Sequence, residues 1–545
     1  MKVFSTEAGT HLYEHADILG KTHIASLFKE NCNRFEELNF SIEGMLIDFS
    51  KQRITQQTLD LLCAFAREKN LEQWVVDLFN GKKINTSENR PALHTALRTP
   101  KDQTLLLDGT NIIDQVHENL DRMGKMVEQI HARQWLGCTG DAIDTIVNIG
   151  VGGSDLGPSM SCKALSDFTT VNSSHIDLYF VSSMDGSHIS SLLHKLDPTR
   201  TLFVISSKSF TTIDTLCNAE TALEWLKRAY LPEGINEELI VARHFIGVSA
   251  TPKKMIEWGI PEANHLYFWD WTGGRYSMWS TIGLPIALRI GMDNFRQILD
   301  GAHAMDKHFH DTPFEQNLPV LIAMVGIWNI NFLGITAHAI LPYDGRLSHL
   351  PSYLEQLEME SNGKNTTRSN ERVGYNTCPV LWGEIGTNAQ HAFYQLLHQG
   401  TIPVMCDFIT SAVRYEGPNN IELKRQHQLN LSNCLAQSQI LALGDTVIEG
   451  AENAPIYKRY QGNQPCTTLL LDKLTPHTFG KLIALYEHKV FVQSVIWDIN
   501  PFDQWGVELG KTIATGLLPA LTGEGEQPSL DSSTLGLIEH INKAH

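Results

Sequence analysis

Short apolar segments, each followed by Gly, Ser or Thr and then by an amphipathic stretch, constrain the fold more than any other feature of this sequence. Four of them occur at 145–150, 177–183, 201–207 and 243–249. Apolar runs of this length that alternate with helical patterns indicate parallel strands joined by crossover helices. The sequence therefore predicts an α/β fold with a doubly wound parallel sheet in this region.

A second series of the same kind follows nearer the C-terminus. Its candidate strands lie near Ala337, Thr401 and Thr467, and the stretch 293–319 is the predicted junction between two α/β domains. The residues before the first series carry helical apolar periodicity. The predicted organisation is an N-terminal helical region, two doubly wound α/β domains and a C-terminal helical arm, with boundaries at 1–115, 116–290, 291–505 and 506–545.

The charge balance excludes one class of partner. Of 545 residues, 43 are Lys or Arg and 61 are Asp or Glu, which gives a net charge of −18. Binding to a nucleic-acid backbone needs clustered Lys and Arg, so we predict no nucleic-acid partner. The same balance raises the question of how so acidic a chain would hold a small anion.

One stretch, 316–343, contains no Asp, Glu, Lys or Arg and is long enough to cross a bilayer. Asn329 and Asn331 lie near its centre, and polar side chains are costly in a membrane. A buried helix that runs into a buried strand is therefore the favoured interpretation, and a membrane span is the alternative.

The nine cysteines lie at least 24 residues apart, so no local CxxC metal or redox pair can form. An odd, scattered set of thiols is typical of a reducing compartment. The N-terminus carries no apolar segment of the kind that signal peptides have. These features together predict a cytoplasmic protein.

The glycine-rich segment 148–158 follows a predicted strand and opens a helix, where backbone N–H groups can converge on an anion. It matches neither common phosphate-binding fingerprint, because Asp155 stands where a dinucleotide motif has its third Gly, and Pro158 where a P-loop has Lys. One interpretation is a tight turn that lets a small ligand approach the backbone at Gly153 and Ser154. The other is a turn with no ligand.

The segment 206–212 brings hydroxyls, one cation and a helix N-terminus together after a predicted strand. Hydroxyls and N–H groups supply directed hydrogen bonds and Lys208 supplies a point charge, a combination that suits a phosphate monoester. The helix is predicted to run from about Thr212 to Tyr230. Thr211 or Thr212 could equally serve as its N-cap, and the two roles are compatible.

Two further clusters carry charged side chains in unusual settings. Arg275 follows Gly273 and Gly274, so its guanidinium could reach into a cleft, although a solvated surface Arg is the alternative. Glu360 is predicted in the last turn of a helix that ends at a Gly363 cap. The negative end of a helix disfavours a carboxylate and makes it a better base. A solvated acidic helix face is the alternative there.

The last two clusters lie towards the C-terminus. With Thr387 or Asn388 as N-cap, His391 would lie in the first turn of a helix, where the dipole disfavours imidazolium. A hydrogen-bonded core histidine is the alternative. A helix that begins near Asp503 would place Gln504 and Lys511 on one face, as sugar contacts or as solvated residues.

Together these clusters resemble the glucose-6-phosphate isomerase (phosphoglucose isomerase) family in order and approximate spacing. The similarity covers nearly the whole chain. The matching motifs are INTSENRPALHTALR near Ile84, GVGGSDLGP, SKSFTT, TGGRYS, MESNGK, GTNAQHAFYQ and FDQWGVELGK.

The resemblance implies two sugar-isomerase (SIS) α/β domains in a homodimer. It also implies reversible aldose-ketose isomerisation between glucose 6-phosphate and fructose 6-phosphate, a step of glycolysis and gluconeogenesis, with no metal or organic cofactor. Glu360 would move a proton between C2 and C1 through a cis-enediol, and Arg275 would stabilise the enediolate. His391, contributed by the partner subunit in this family, and Lys511 would open the ring. The implied substrate contacts are Gly153, Ser154, Ser207, Lys208, Ser209, Thr212, Gln356 and Gln504.

Three positions depart from the family pattern. Ser209 stands where Thr is frequent, Asp214 where a Glu commonly partners the histidine, and Ile385 where Pro is frequent. A non-catalytic sugar-phosphate sensor is the alternative function, but a sensor has no use for Glu360 and Arg275 together. Side activity on mannose 6-phosphate is left open.

Overall fold

The structure is a computed structural model that describes residues 2–417, 419–523 and 530–544. The chain divides into two compact units, Met1–Pro501 and Phe502–His545. The described strands are β1 Asn39–Ile42, β2 Met45–Asp48, β3 Leu106–Leu107, β4 Thr110–Asn111, β5 Thr145–Ile149, β6 Asp177–Val181, β7 Thr201–Ser206, β8 Phe245–Ser249, β9 His265–Tyr267, β10 Ala337–Pro342, β11 Val380–Gly383, β12 Met405–Ser411 and β13 Cys466–Leu471.

The structure describes α-helices before, between and after these strands along the chain. They are α1 Glu7–Leu19, α2 Ile24–Glu30, α3 Arg34–Leu38, α4 Gln56–Glu68, α5 Leu71–Phe79, α6 Ile112–His131, α7 Leu156–Ala164, α8 Gly186–Leu193, α9 Ile213–Tyr230, α10 Glu237–His244, α11 Pro252–Glu257, α12 Leu284–Ile290, α13 Met292–Asp311, α14 Leu318–Ile327, α15 Leu350–Leu354, α16 Gly386–Ala392, α17 Tyr394–Gln399, α18 Ile421–Leu443, α19 Pro476–Ile496, α20 Glu508–Thr522 and α21 Ser532–Ala544.

The first large sheet has the order β6-β5-β7-β8-β9 and is parallel throughout. Its register aligns Thr145 with both Asp177 and Thr201. The four strands predicted here are confirmed, as is the helix that follows β7. β9 escaped prediction because three residues are too few to show a periodic pattern.

The second large sheet has the order β1-β2-β13-β12-β10-β11. β13, β12, β10 and β11 are parallel to one another, and β2 joins β13 in the antiparallel sense. The prediction of a doubly wound α/β protein with two parallel-sheet cores is confirmed.

The prediction of a helical region at 1–115 missed the strands β1 and β2 and the short pair β3 and β4. Ile47 is fully buried and pairs with Leu469 at the edge of the second sheet. Two four-residue strands gain their stability from that sheet rather than from their own sequence, so helical periodicity on either side conceals them. The domain boundaries remain predictions.

The charge-free stretch 316–343 forms α14, a π-helical turn at Trp328–Phe332 and then β10. All ten residues of α14 are buried. No described helix is long and apolar enough to cross a membrane. The favoured interpretation, a buried helix that runs into a buried strand, is confirmed.

A fully buried charge network ties helices together behind the first sheet's loops. Arg98 donates to both carboxylate oxygens of Asp306, at 2.7 and 2.6 Å, and to Glu487 at 2.5 Å. The Trp279 indole donates to the other oxygen of Glu487 at 2.7 Å. Because every charge in it has a hydrogen-bonded partner, the network can hold the segment that carries Trp279 in one position.

The C-terminal unit contains α20 and α21, and the Asn542 side chain donates to the Ala520 carbonyl at 3.0 Å. The predicted helix start near Asp503 is wrong, because a 3₁₀ turn at Trp505–Val507 comes first and α20 begins only at Glu508.

Candidate active site

The loops after β5 and β7 meet at the carboxyl edge of the first sheet. β5 lies between β6 and β7, so the chain reverses its direction of winding between β5 and β7. Doubly wound sheets bind ligands at this switch point, outside the carboxyl ends of the strands. The glycine-rich loop and the segment 206–212 both lie there.

The glycine-rich loop packs against a second pair of glycines. A Cβ atom added to Gly153 would lie 1.9 Å from the carbonyl oxygen of Gly274, a distance that no side chain can occupy. Gly152 has a φ of 58°, and a Cβ there would meet the amide of Gln356. The tight turn is therefore required by contact between backbones, and it places Ser154 beside the segment that carries Arg275.

The hydroxyls of the segment 206–212 are not used to cap the helix. Thr212 occupies the N-cap position of α9, but its side chain makes no capping hydrogen bond. Its hydroxyl instead lies 3.2 Å from that of Ser207, which accepts from the backbone N–H of Phe210 at 3.1 Å. The Thr211 hydroxyl donates to Ser209 at 2.8 Å. Several hydroxyls thus cluster at the N-terminus of an 18-residue helix, as an anion site requires.

The Lys208 ammonium reaches across to the next loop. It donates to the carbonyl oxygens of Asp270 and Thr272, both at 2.8 Å. Burial, together with the nearby Arg90 guanidinium, lowers the pKa of Lys208 to about 8. The ammonium is therefore held in a fixed place and is less firmly protonated than an exposed lysine.

Arg275 lies in the 3₁₀ turn Gly274–Trp279 and is 3% exposed, so the surface interpretation is wrong. Its Nε donates to the Ser361 hydroxyl at 2.6 Å, and one Nη donates to the Pro501 carbonyl at 2.5 Å. The other Nη lies 3.4 Å from the Glu360 carboxylate. The Ser361 hydroxyl and the Pro501 carbonyl thus orient the guanidinium, and the Glu360 carboxylate lies close to its charge.

Glu360 closes a π-helical segment, Glu355–Glu360, that continues α15. The Gln356 amide donates to the Glu360 carboxylate at 2.9 Å. The helix ends two residues later, so the last-turn placement of Glu360 is confirmed, although Gly363 does not adopt a left-handed cap. π-helical turns are rare and occur frequently at functional sites.

His391 is not where its sequence pattern placed it. α16 begins at Gly386 with Ile385 as N-cap, so the predicted cap at Thr387 or Asn388 is wrong, and His391 lies in the last turn. The early start follows from packing, because Gly386 lies directly against the Tyr343 ring. The dipole argument for a neutral imidazole therefore fails. The side chain is exposed, so the core-histidine alternative is also wrong.

Gln504 and Lys511 belong to the C-terminal unit and do not share a helix face. Gln504 precedes the 3₁₀ turn, whereas Lys511 lies in α20 and its ammonium pairs with Glu508 at 3.0 Å. The prediction of one common helix face is wrong, because the chain becomes α-helical only at Glu508.

Sequence reasoning missed three residues next to this cluster. Ser361 is fully buried and hydrogen-bonds both Arg275 and the Tyr276 hydroxyl, the latter at 3.0 Å. Burial raises the pKa of the Asp155 carboxyl to about 6, against the opposing hydrogen bond from Ser182. Ser361 could have been found from its position directly after Glu360, but the contacts of Asp155 and Tyr276 are visible only in three dimensions.

The assembled cluster provides a carboxylate that contacts both a buried guanidinium and an amide, beside a glycine turn. A carboxylate can take up and return a proton, and a fixed guanidinium can stabilise an oxyanion that forms next to it. Together with the hydroxyl cluster around Ser207, the arrangement suits proton transfer on a substrate that carries a phosphate group.

Comparisons with known proteins agree with this chemistry. The phosphoglucose isomerase family model matches residues 48–538. Glucose-6-phosphate isomerase 2 of Chromohalobacter salexigens is 54% identical over 549 residues, which cover 99% of this chain and 98% of that protein. Glucose-6-phosphate isomerase of Acinetobacter baylyi is 54% identical over 528 residues, which cover 95% of this chain and 94% of that protein. The crystal structure of a glucose-6-phosphate isomerase from Chlamydia trachomatis superposes with a TM-score of 0.83 at 30% identity and covers 99% of both chains. The chain therefore belongs to the phosphoglucose isomerase family.

Proposed function

We propose that the protein interconverts glucose 6-phosphate and fructose 6-phosphate as an aldose-ketose isomerase of glycolysis and gluconeogenesis. The observation that carries the proposal is the contact between the Glu360 carboxylate and the buried Arg275 guanidinium, 3.4 Å apart. The names of relatives that are 54% identical over nearly the whole chain support it. A sugar-phosphate sensor is not favoured, because binding alone needs no such pair.

The phosphate group binds at the N-terminus of α9. The hydroxyls of Ser207, Ser209 and Thr212 donate to its oxygens, and the Lys208 ammonium supplies a point charge. Gly153 and Ser154 contact the sugar. Two hydrogen bonds of 2.8 Å to carbonyl oxygens hold the Lys208 ammonium in place and support this role. A cation that is already fixed loses little conformational entropy when phosphate binds.

The isomerisation moves one proton from C2 to C1 and transfers a second, in net terms, from the hydroxyl on C2 to the oxygen on C1. After His391 and Lys511 open the ring, Glu360 removes the proton from C2 of the aldose and returns it to C1, so that a cis-enediol intermediate forms and collapses to the ketose. Arg275 stabilises the negative charge that develops on the enediolate oxygen. Gln356 and Gln504 serve as further substrate contacts.

The active form is a homodimer in which His391 of the partner subunit completes each site. Two observations support this arrangement. His391 is exposed, and within the described residues it makes no hydrogen bond or ion pair with Arg275, Gln356 or Glu360. In addition, α18 exposes apolar side chains, Ile421 at 71%, Leu429 at 56% and Leu435 at 57%. Apolar patches of this kind are typical of protein interfaces.

The protein works in the cytoplasm. All nine cysteines are free thiols, and seven of them are buried or half-buried in positions that form no disulfide, as in a reducing compartment.

A coupled assay tests the activity directly. Purified protein is mixed with fructose 6-phosphate, and glucose 6-phosphate is followed through a dehydrogenase that reduces a nicotinamide cofactor. We expect turnover without added metal and an unchanged rate with chelator. Absence of turnover in folded protein would overturn the proposal, and mannose 6-phosphate in a parallel reaction measures side activity.

A further inference from the structure

The two large sheets have the same order of parallel strands, and this places a second switch point in the molecule. In the first sheet the order is β6-β5-β7-β8, and in the second it is β11-β10-β12-β13. In both, the first strand along the chain lies between the second and the third. The crevice between β10 and β12 is therefore the topological equivalent of the candidate active site between β5 and β7.

A cavity of about 380 Å³ lies at this second switch point. We call it the second-sheet crevice and define it by Arg346, Arg414, Tyr415, Glu416, Asn420 and Lys473. These residues follow the carboxyl ends of β10, β12 and β13. A cavity of this size is in the usual range for small-molecule sites.

The second-sheet crevice is separate from the candidate active site. Ser154 precedes the N-terminus of α7, whereas Asp167, which also lines the crevice, follows its C-terminus. Nine helical residues span about 14 Å. The two sites therefore lie at opposite ends of α7.

The Arg346 guanidinium lines the crevice and is held by two carboxylates. Its Nε and one Nη donate to Asp344 at 3.0 and 2.7 Å, and its other Nη donates to Asp167 at 2.9 Å. The Asp344 and Asp167 carboxylates lie closer to Arg346 than to Arg414. They therefore neutralise the charge of Arg346 more fully than that of Arg414.

Arg414 is the loosely held cation. Its two Nη atoms lie 3.4 Å from Asp344 and 3.7 Å from Asp167. Its Nε is buried and has no hydrogen-bond partner among the residues that the structure describes. The guanidinium carbon lies 4.4 Å from the centre of the Tyr415 ring, which supports it from one side. A buried donor without a partner is costly unless a ligand supplies the acceptor.

Two more features favour an anion. α18, 23 residues long, begins directly after Asn420, and the Asn420 side chain does not cap it. Because Asn420 is the N-cap residue and lines the crevice, the positive end of this helix lies at the crevice. The Lys473 ammonium pairs with Glu416 among the residues that the structure describes, and both side chains are about half exposed, so the pair is weak and can exchange for a ligand.

We propose that the second-sheet crevice binds a small organic phosphate, whose oxygens accept from the Arg414 guanidinium and from the N-terminus of α18. The inference is independent of the proposed catalytic roles, since none of the crevice residues belongs to the candidate active site. Its ligand is either the sugar phosphate itself at a second site or another phosphorylated metabolite.

Equilibrium titration of the full-length protein with inorganic phosphate tests the proposal. We expect two sites per chain in the wild type. Arg414→Gln should weaken one of them at least about tenfold, because a charge-assisted hydrogen bond is lost, and leave the other unchanged. Arg228→Gln, which changes an exposed arginine in the last turn of α9, is the matched control and should keep both sites. Lys208→Gln should weaken only the other site.

A single site in the wild type, or an unchanged second site in Arg414→Gln, would overturn the inference while leaving the isomerase assay unaffected. Lys473→Gln, at an exposed position, repeats the test in case Arg414→Gln does not fold. Titration with glucose 6-phosphate distinguishes the sugar phosphate from other sources. Malonate that binds the crevice more tightly than phosphate would show that the ligand class is wrong.

Discussion

At the scale of single residues, the groups that orient the Arg275 guanidinium differ from the carboxylate that lies next to its charge. Ser361 and the Pro501 carbonyl are neutral acceptors that fix its orientation. Glu360 is a charged neighbour that lies farther away, at 3.4 Å. Because a neutral hydroxyl orients the guanidinium without cancelling its charge, Ser361 has a positioning role beside Arg275.

The first prediction concerns the base. Glu360→Gln keeps the shape of the side chain but cannot accept a proton, so kcat should fall by about 10²- to 10⁴-fold with little change in KM. Initial rates over a range of fructose 6-phosphate concentrations measure both constants. Glu355→Gln, the same change earlier in the π-helical segment, should behave as wild type. Wild-type turnover in Glu360→Gln would show that another group is the base.

The second prediction concerns pH. The Lys208 ammonium has a pKa lowered by burial to about 8, so it is charged below that pH and neutral above it. Because kcat/KM reports the protonation of the free enzyme, it should decline as pH rises through about 8. In Lys208→Arg the guanidinium stays charged, so the decline should move to higher pH. The same inflection in both proteins would mean that Lys208 is not the titrating group.

At the scale of elements, backbone contact between two loops sets the geometry of the candidate site. Gly153 after β5 lies against Gly274, whose next residue is Arg275. The buried Trp279 at the other end of the same 3₁₀ turn is held by Glu487. The turn is therefore clamped at both ends, and a small shift at Gly153 is transmitted to the guanidinium.

The third prediction follows from that contact. Gly153→Ala would put a Cβ 1.9 Å from the Gly274 carbonyl, so the turn must move. A displacement of about 1 Å at a catalytic group can lower the rate 10²-fold, and we expect a loss of that size in kcat/KM. Gly186→Ala, where the added Cβ meets nothing within 4 Å, is the control. Circular dichroism establishes folding, and a folded Gly153→Ala protein with wild-type kcat/KM would contradict the argument.

Elements with a strong period were predictable from the sequence, and elements that depend on distant packing were not. β5 and β7 are continuous apolar runs, and the helix after β7 was placed to within one residue. β2 is short and is stabilised by β13, more than 400 residues later, so no local pattern predicts it. The start of α16 is set by the Tyr343 ring rather than by a capping side chain.

The candidate site follows the same rule. The hydroxyls and the cation around Lys208 indicated a phosphate site, whereas the roles of Arg275 and Glu360 in proton transfer rested on the resemblance of their motifs to the family. The contact of Gln356 with Glu360 depends on a π-helical turn, which no sequence period distinguishes from an α-helix. The placement of Gln504 failed because a 3₁₀ turn separates it from α20.

At the scale of the whole molecule, a net charge of −18 coexists with local cationic sites. Arg275 is buried and Lys208 is half-buried, and each lies in a loop that follows a strand of the first sheet. In a low-dielectric pocket the local arrangement dominates, because exposed charges farther than about 8 Å away are largely screened at physiological salt. The acidic surface therefore opposes polyanions without preventing a small phosphate from binding.

The fourth prediction tests whether each site is built from two subunits. If His391 of the partner subunit completes the site around Glu360, a mixed dimer of Glu360→Gln and His391→Ala chains has one site with both changes and one with neither. Refolding an equal mixture of the two inactive variants should restore about a quarter of the wild-type activity, since half of the dimers are mixed and one site in each is intact. Each variant refolded alone should stay inactive. If each site were instead built from one chain, every site in the mixture would carry either Glu360→Gln or His391→Ala. The refolded mixture would then recover no activity, even though sedimentation showed that dimers had formed, and the prediction would be wrong.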